Sequence, residues 1–426
     1  MTFGDQLPEI VVPPPGPRAR ELSEALRELE APGVNTIFAG EPSLLWEEAR
    51  GANVRDVDGN IYIDLTSGFG VAAVGHRHPR VVEAVREQAG RLLHGLGDVH
   101  AHPLRVELAR RLVRLAPVDD PQVFFSISGA EAVEIALKTA LGHTRKPGII
   151  AFEPSYHGLT LGALAVTSRE EFRSPFAAHL HGHVHRLPFA GDLDRLDEIL
   201  ARGDVGGVIV EPIVGREGVL IPPTGWLASL AEICRRRGAL LIADEIFTGF
   251  GRTGKLFAVE HEGVRPDVLC CGKAMGGGMP IAAVIARREV FRCWETPGEA
   301  RHTATFLAHP LSCAGALATL DILEEEDLPG RAARLGEDLG RSLASWPDRF
   351  PAVEEIRGRG LLWGIQLRTT EAAKKWMLEG WGRGVLFLAG GPGGRVGQIV
   401  PPLKIREELL GAAIEILEGA LTGDPS

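Results

Sequence analysis

The sequence predicts an α/β protein: a large domain on a mostly parallel central sheet, with a smaller α+β domain beside it. Three observations carry that expectation. Apolar runs alternate with helix-like stretches from about residue 80 to residue 325. The runs are apolar throughout, as strands covered on both faces must be. After PLSCAGALATLDILEEED, itself a long helix candidate, the texture changes to shorter strand-like and helix-like segments.

The strand candidates are, in order, QVFFSI (122–127), GIIAFE (148–153), VGGVIVE (205–211), ALLIADE (239–245) and DVLCCG (267–272). Between them, GAEAVEIALKTAL and GWLASLAEICRRRG have helical spacing. The second ends in Arg235, Arg236 and Arg237 before Gly238, a basic last turn followed by a stop residue. Further on, RGLLWGIQL and GVLFLAG read as strands, and EAAKKWMLEGWGR and REELLGAAIEILEGAL as helices. Near the other end, DVDGNIYIDL (56–65) fits a hairpin turning at Asp-Gly. Residues 1–20 read as an arm. The expected division is 1–75 for the arm and part of the small domain, 76–325 for the large domain, and 326–426 for the C-terminal small domain.

Composition narrows the function classes. Of 426 residues, 45% are hydrophobic and 24% charged, as in an ordinary globular protein. A net charge of -10 gives no basic face for nucleic acid. No apolar run is long enough for a membrane span. The first residues are rich in proline and unlike a signal peptide. Cys234, Cys270, Cys271, Cys293 and Cys313 form no CxxC pair and are odd in number, which fits a reduced cytoplasm.

In open α/β sheets, ligands sit beyond the carboxyl ends of the strands. The residues that follow the candidate strands are Ser128-Gly129-Ala130-Glu131, Tyr156-His157-Gly158, Glu211, Asp244-Glu245 and Lys273. Ser128-x-x-Glu131 is a capping-box pattern. The same helix start offers free N–H groups to an anion, and Gly129 lets a ligand come close. An ionised Asp244 at the end of an apolar strand needs a partner, either an arginine or a protonated ring nitrogen. Lys273 closes another such strand. Burial penalises its charged form, and a neutral amine forms a Schiff base with a carbonyl. A phosphate cradle, an acid for a pyridinium and a Schiff-base lysine are together what pyridoxal phosphate (PLP) requires.

Rival readings are weaker. GFGRTGK (249–255) contains G-x-x-x-x-G-K, but Leu256 stands where a nucleotide loop needs Ser or Thr. Lys255 is still the rival lysine. HLHGHVH places His179, His181, His183 and His185 at alternate positions, yet no Cys or carboxylate completes a metal set, so no metal is expected. Cys270 and Cys271 read as small core residues.

These residues resemble the class III (ω-type) aminotransferases, nearest to 4-aminobutyrate aminotransferase-like members. The resemblance spans most of the chain, through DVDGNIYIDLTSGFGVAAVGHRHPRV, SGAEAVEIALK, YHG, VEPIVGREG, LLIADEIFTGFGRTGK, DVLCCGKAMGGGMPIAAV, TATFLAHPLSCAGALA, GRGLLWGI and VPPLKI. It implies the fold of a fold-type I PLP-dependent transferase, with PLP bound in the large domain. It implies Lys273 as the Schiff-base lysine and Asp244 as partner of the pyridine nitrogen. Ile246 would lie under the ring, Tyr156 on its other face, and His157 beside it. Ser128, Gly129 and Ala130 would meet the phosphate, and Thr305 would reach that of a neighbouring subunit. The implied assembly is a homodimer with shared sites, with tetramers left open. Glu211 would border the substrate pocket.

Three departures stand out. Ala130 lacks the hydroxyl frequent in the family. Phe247 replaces a common glutamine. Gln398 stands where many relatives carry an arginine that clamps a substrate carboxylate. Gln398 cannot supply that charge, which tilts the reading toward an amine donor; Arg395 or Arg216 could substitute for it. The expected reaction moves an amino group from an amine or ω-amino acid to pyruvate or 2-oxoglutarate, in ping-pong half-reactions. A racemase or aminomutase on the same scaffold is the alternative; a non-catalytic cofactor-binding module is a third reading without support in any DNA-binding segment.

Overall fold

The computed structural model describes residues 2–34 and 43–422. Its central sheet has seven strands, ordered Pro121–Ser126, Ala282–Arg287, Val268–Cys271, Leu240–Asp244, Val205–Val210, Gly148–Glu153 and Val184–Pro188. Ala282–Arg287 runs against both neighbours, and the other pairings are parallel. The fold is thus α/β with a mostly parallel central sheet.

Burial on both faces explains the unbroken apolar runs. Ile149, Ala151, Ile209, Ile242 and Val284 face the helix Gly129–Thr144. Their neighbours Ile150, Val208, Val210, Leu241 and Leu269 belong to the core on the other face, with Trp226 and Leu230 of the helix Trp226–Arg237. That helix stops at Gly238, whose φ of 66° is the left-handed conformation that glycine adopts without penalty. Arg236 and Arg237 both pair with Asp197 of the neighbouring helix Leu193–Leu200.

Two four-stranded sheets flank this layer. One joins Trp46–Arg50, Asn53–Asp56, Ile61–Asp64 and Val385–Leu386. Its hairpin turns at the expected Asp-Gly, and the Asp56 carboxylate accepts from the N–H groups of Asp58 and Asn60. The other joins Val353–Arg359, Leu362–Leu367, Val396–Ile399 and Leu388–Gly390. GVLFLAG therefore splits between two sheets instead of forming one strand. The arm also differs from expectation, because a helix begins at Pro17 and runs to Leu29.

HLHGHVH is not one strand. His179 ends a 3-10 helix, and of the four histidines only His185 lies in the strand Val184–Pro188. All five cysteines are free thiols, and Cys234, Cys270, Cys271 and Cys313 are buried. Among the described residues, no helix is long and apolar enough to cross a membrane.

Candidate active site

The strands ending at Glu153, Val210, Asp244 and Cys271 deliver their next residues to one rim. A cavity of about 520 Å³ opens there. It is lined by Gly129, Ala130, Tyr156, His157, Glu211, Asp244, Ile246 and Lys273, together with Arg216 and Phe247. Eight residues expected from the sequence thus meet, though up to 144 positions separate them (Gly129 to Lys273).

One wall is the start of the helix Gly129–Thr144. Ser128 caps it, with Oγ accepting from the Glu131 N–H at 3.2 Å. Glu131 does not close the reciprocal bond of a capping box; its Oε2 accepts from the Ile127 N–H at 2.7 Å. The first N–H groups of a helix have no partner inside it. Neighbouring loops pack close against this end. A Cβ on Gly129 would come within 2.9 Å of Ile246, and one on Gly158 within 2.7 Å of Ala130. Gly158 also has a φ of 121°, which L side chains rarely adopt.

Asp244 lies opposite and is buried. Its Oδ2 accepts from His157 Nδ1 at 2.7 Å, and Oδ1 from the Ile246 N–H at 3.1 Å. His157 is buried too, and its Nε2 has no hydrogen-bond partner among the described residues. Glu211 braces the loops, accepting from the N–H groups of Tyr156 and Gly215 at 2.9 Å each. Burial pushes the Glu211 carboxyl up to about 7.

Lys273 follows the strand Val268–Cys271 with a φ of 42°, a left-handed conformation unusual for a lysine. Its side chain opens onto the cavity, while protein surrounds its amine on the other sides. That loss of water lowers its pKa to about 8, against the opposing pull of Asp244 and Glu211. Nζ sits 4.1 Å from the centroid of the Phe247 ring. The rival Lys255 is exposed and takes no part in the cavity.

Other expected residues sit apart. Thr305 is exposed and does not line this chain's cavity. Gln398 is buried behind the cavity wall, its Nε2 donating to the carbonyls of Gly215 and Arg216 at 2.9 and 3.2 Å. Arg395 points elsewhere: it donates to the Arg368 carbonyl at 3.1 Å and lies 3.6 Å from Glu354. The turn through Gly393 and Gly394, both at positive φ, directs it there.

A half-dry amine facing a buried acid, beneath a bare helix end on an α/β sheet, defines a PLP-type transferase. The chain belongs to the class-III aminotransferases: a match to the family described as aminotransferase class-III spans residues 38–421. The acetylornithine aminotransferase of Methanopyrus kandleri is 44% identical over 87% of this chain and 92% of its own length. That of Methanothermobacter thermautotrophicus is 39% identical, over 93% and 98%. Among solved structures, the ornithine aminotransferase of Toxoplasma gondii is 31% identical, covers 95% of both chains and has a TM-score of 0.87. An amine transaminase from an uncultivated Pseudomonas species in its PLP-bound form is 29% identical, with a TM-score of 0.86 and coverage of 92% and 98%. The enzyme is PLP-dependent.

The residues present fit that cofactor. The helix start at Gly129 and Ala130 offers backbone N–H groups to an anion, Asp244 offers a carboxylate to a cationic nitrogen, and the Lys273 amine is short of water.

Proposed function

We propose that this aminotransferase takes the terminal amino group of an ω-amino acid and passes it to a 2-keto acid. Donors of the ornithine, N-acetylornithine and 4-aminobutyrate class fit, with pyruvate or 2-oxoglutarate as acceptor. The observation that carries this reading is the sharing of one cavity by the Lys273 amine and the Asp244 carboxylate at adjoining strand ends. The names of the curated relatives narrow the donor class.

When bound, PLP supplies an aldehyde and an electron-accepting ring. The chain does the rest. The N–H groups of Gly129 and Ala130, beside the Ser128 cap, hold the phosphate. Asp244, oriented by His157, would keep a proton on the ring nitrogen. Ile246 and Tyr156 would hold the ring. Lys273 would hold the aldehyde, and its amine, when neutral, would move the proton of the substrate carbon. Glu211 fixes the Tyr156 and Gly215 loops at the substrate end. Two copies complete the sites, the partner subunit's Thr305 reaching the phosphate. In support, Thr305 is exposed here, beside exposed Phe306, and its carbonyl lies close to Gly97.

The test is a donor screen on the holoenzyme with ornithine, N-acetylornithine, 4-aminobutyrate, lysine and 1-phenylethylamine against pyruvate and 2-oxoglutarate. Formation of the amino acid from the keto acid with an ω-amino donor is the expected result. Inversion of a single-enantiomer amino acid without keto acid, and no transfer in any pair, would favour the racemase instead.

A further inference from the structure

Two arginines stand near the cavity, and they differ in their partners. Arg169 is neutralised: its Nε lies 2.8 Å from the buried Glu217, and its Nη2 donates to the Gly391 carbonyl at 3.2 Å. Arg216 is the one arginine of the cavity lining, and it has no ion pair or side-chain hydrogen bond among the described residues. Its guanidinium lies 4.3 Å from the Tyr156 ring centroid and 5.3 Å from that of Phe172. Contact with those faces holds its plane and leaves its five N–H donors unspent. A half-buried cation without a counterion is costly, and a ligand anion removes that cost.

The backbone beneath Arg216 is fixed from three sides. Gln398 donates to the Gly215 and Arg216 carbonyls, at 2.9 and 3.2 Å. The Gly391 N–H donates to the Arg216 carbonyl at 3.0 Å, and the Gly215 N–H to Glu211 at 2.9 Å. The side chain therefore springs from an immobilised peptide, on the same wall as the ring-stacking Tyr156. Its charge is felt at the Lys273 amine.

We propose that Arg216 grips the carboxylate of both amino donor and keto-acid acceptor, and that Gln398 is its positioning residue. This rests on the aminotransferase reading. One free guanidinium serves both half-reactions, so ligands bearing a carboxylate are selected over those without one.

The test compares holoenzyme of wild type, Arg216→Gln, Arg216→Lys and Gln398→Leu. One readout is calorimetric titration with butyrate, an unreactive carboxylate. The other is kcat/KM for pyruvate relative to butanal, an acceptor without a carboxylate. A charge-assisted bidentate contact implies a loss on the order of 10- to 100-fold in butyrate affinity, and in the pyruvate-to-butanal ratio, for Arg216→Gln. Arg216→Lys should keep part of both, and Gln398→Leu should lose part of both. Should Arg216→Gln fold poorly, the lysine variant and Gln398→Leu decide. Butyrate affinity and the acceptor ratio both within about twofold of wild type in these variants would overturn the proposal. If no donor and acceptor pair transfers an amino group, the aminotransferase reading fails, and the butyrate titration still decides the role of Arg216.

Discussion

His157 Nδ1 lies 2.7 Å from Asp244 Oδ2, and both side chains are buried beneath the candidate cofactor site. Asp244 ends a strand and His157 follows another, 87 positions earlier. The pair makes the acid's orientation a property of two loops. Asp244→Asn keeps the shape and removes the charge. Turnover should fall on the order of 10²-fold or more, as when other preorganised charge-stabilising groups are lost. His157→Phe leaves the acid one donor short, a cost of about 1–3 kcal/mol, so an intermediate loss is expected. Steady-state rates with PLP in excess check both. Full turnover in Asp244→Asn would remove that residue from the mechanism.

Gly158 tests the helix end as a phosphate cradle. Alanine there meets a φ of 121° and places a methyl group 2.7 Å from Ala130. Backbone strain alone is about 1–3 kcal/mol. The Gly158→Ala protein should retain PLP several-fold less well through gel filtration than wild type, with a lower melting temperature. Unchanged retention would show that this close packing does not shape the cradle.

The Lys273 amine sets a pH window. Its pKa falls from 10.5 to about 8 because burial disfavours the ammonium. Below about 8 the folded PLP-free protein carries a poorly hydrated charge. Between about 8 and 10.5 the unfolded chain binds that proton and the folded chain does not, so stability rises with pH across the window. Urea melts of the PLP-free protein should show that rise, and Lys273→Met should lack it. Acylation of the amine by a small reagent should speed up through about pH 8. A midpoint near that of an ordinary exposed lysine would mean that the amine is solvated.

Much of this architecture was legible because burial on two faces leaves a plain signal. Each of the five predicted strands is present within about two residues of its expected bounds, and the helices open where expected, at Gly129 and Trp226. Ala282–Arg287 escaped notice because it follows directly on a glycine-rich turn, and its antiparallel direction leaves no mark on composition. The break in GVLFLAG at Phe387 depends on which distant strands are free to pair, Ile61–Asp64 on one side and Val396–Ile399 on the other. The alternating histidines had strand spacing without a strand, since spacing says nothing until the backbone is extended.

The site followed the same division. Residues placed by strand ends, such as Lys273, Asp244 and Glu211, could be read from position alone. Partnerships could not. The sequence named Gln398, Arg395 and Arg216 around the substrate without ranking them. Only folding turns Arg395 outward at Gly394, commits Gln398 to backbone carbonyls and leaves Arg216 in the cavity. The His157–Asp244 contact has no local signature either.

Everything in the site depends on the cofactor being held by Lys273. Holoenzyme reduced with borohydride, digested and sequenced by mass spectrometry should carry one phosphopyridoxyl group, on the peptide containing Lys273, and Lys273→Ala protein should carry none. Label on Lys255, or label that persists in Lys273→Ala, would contradict it.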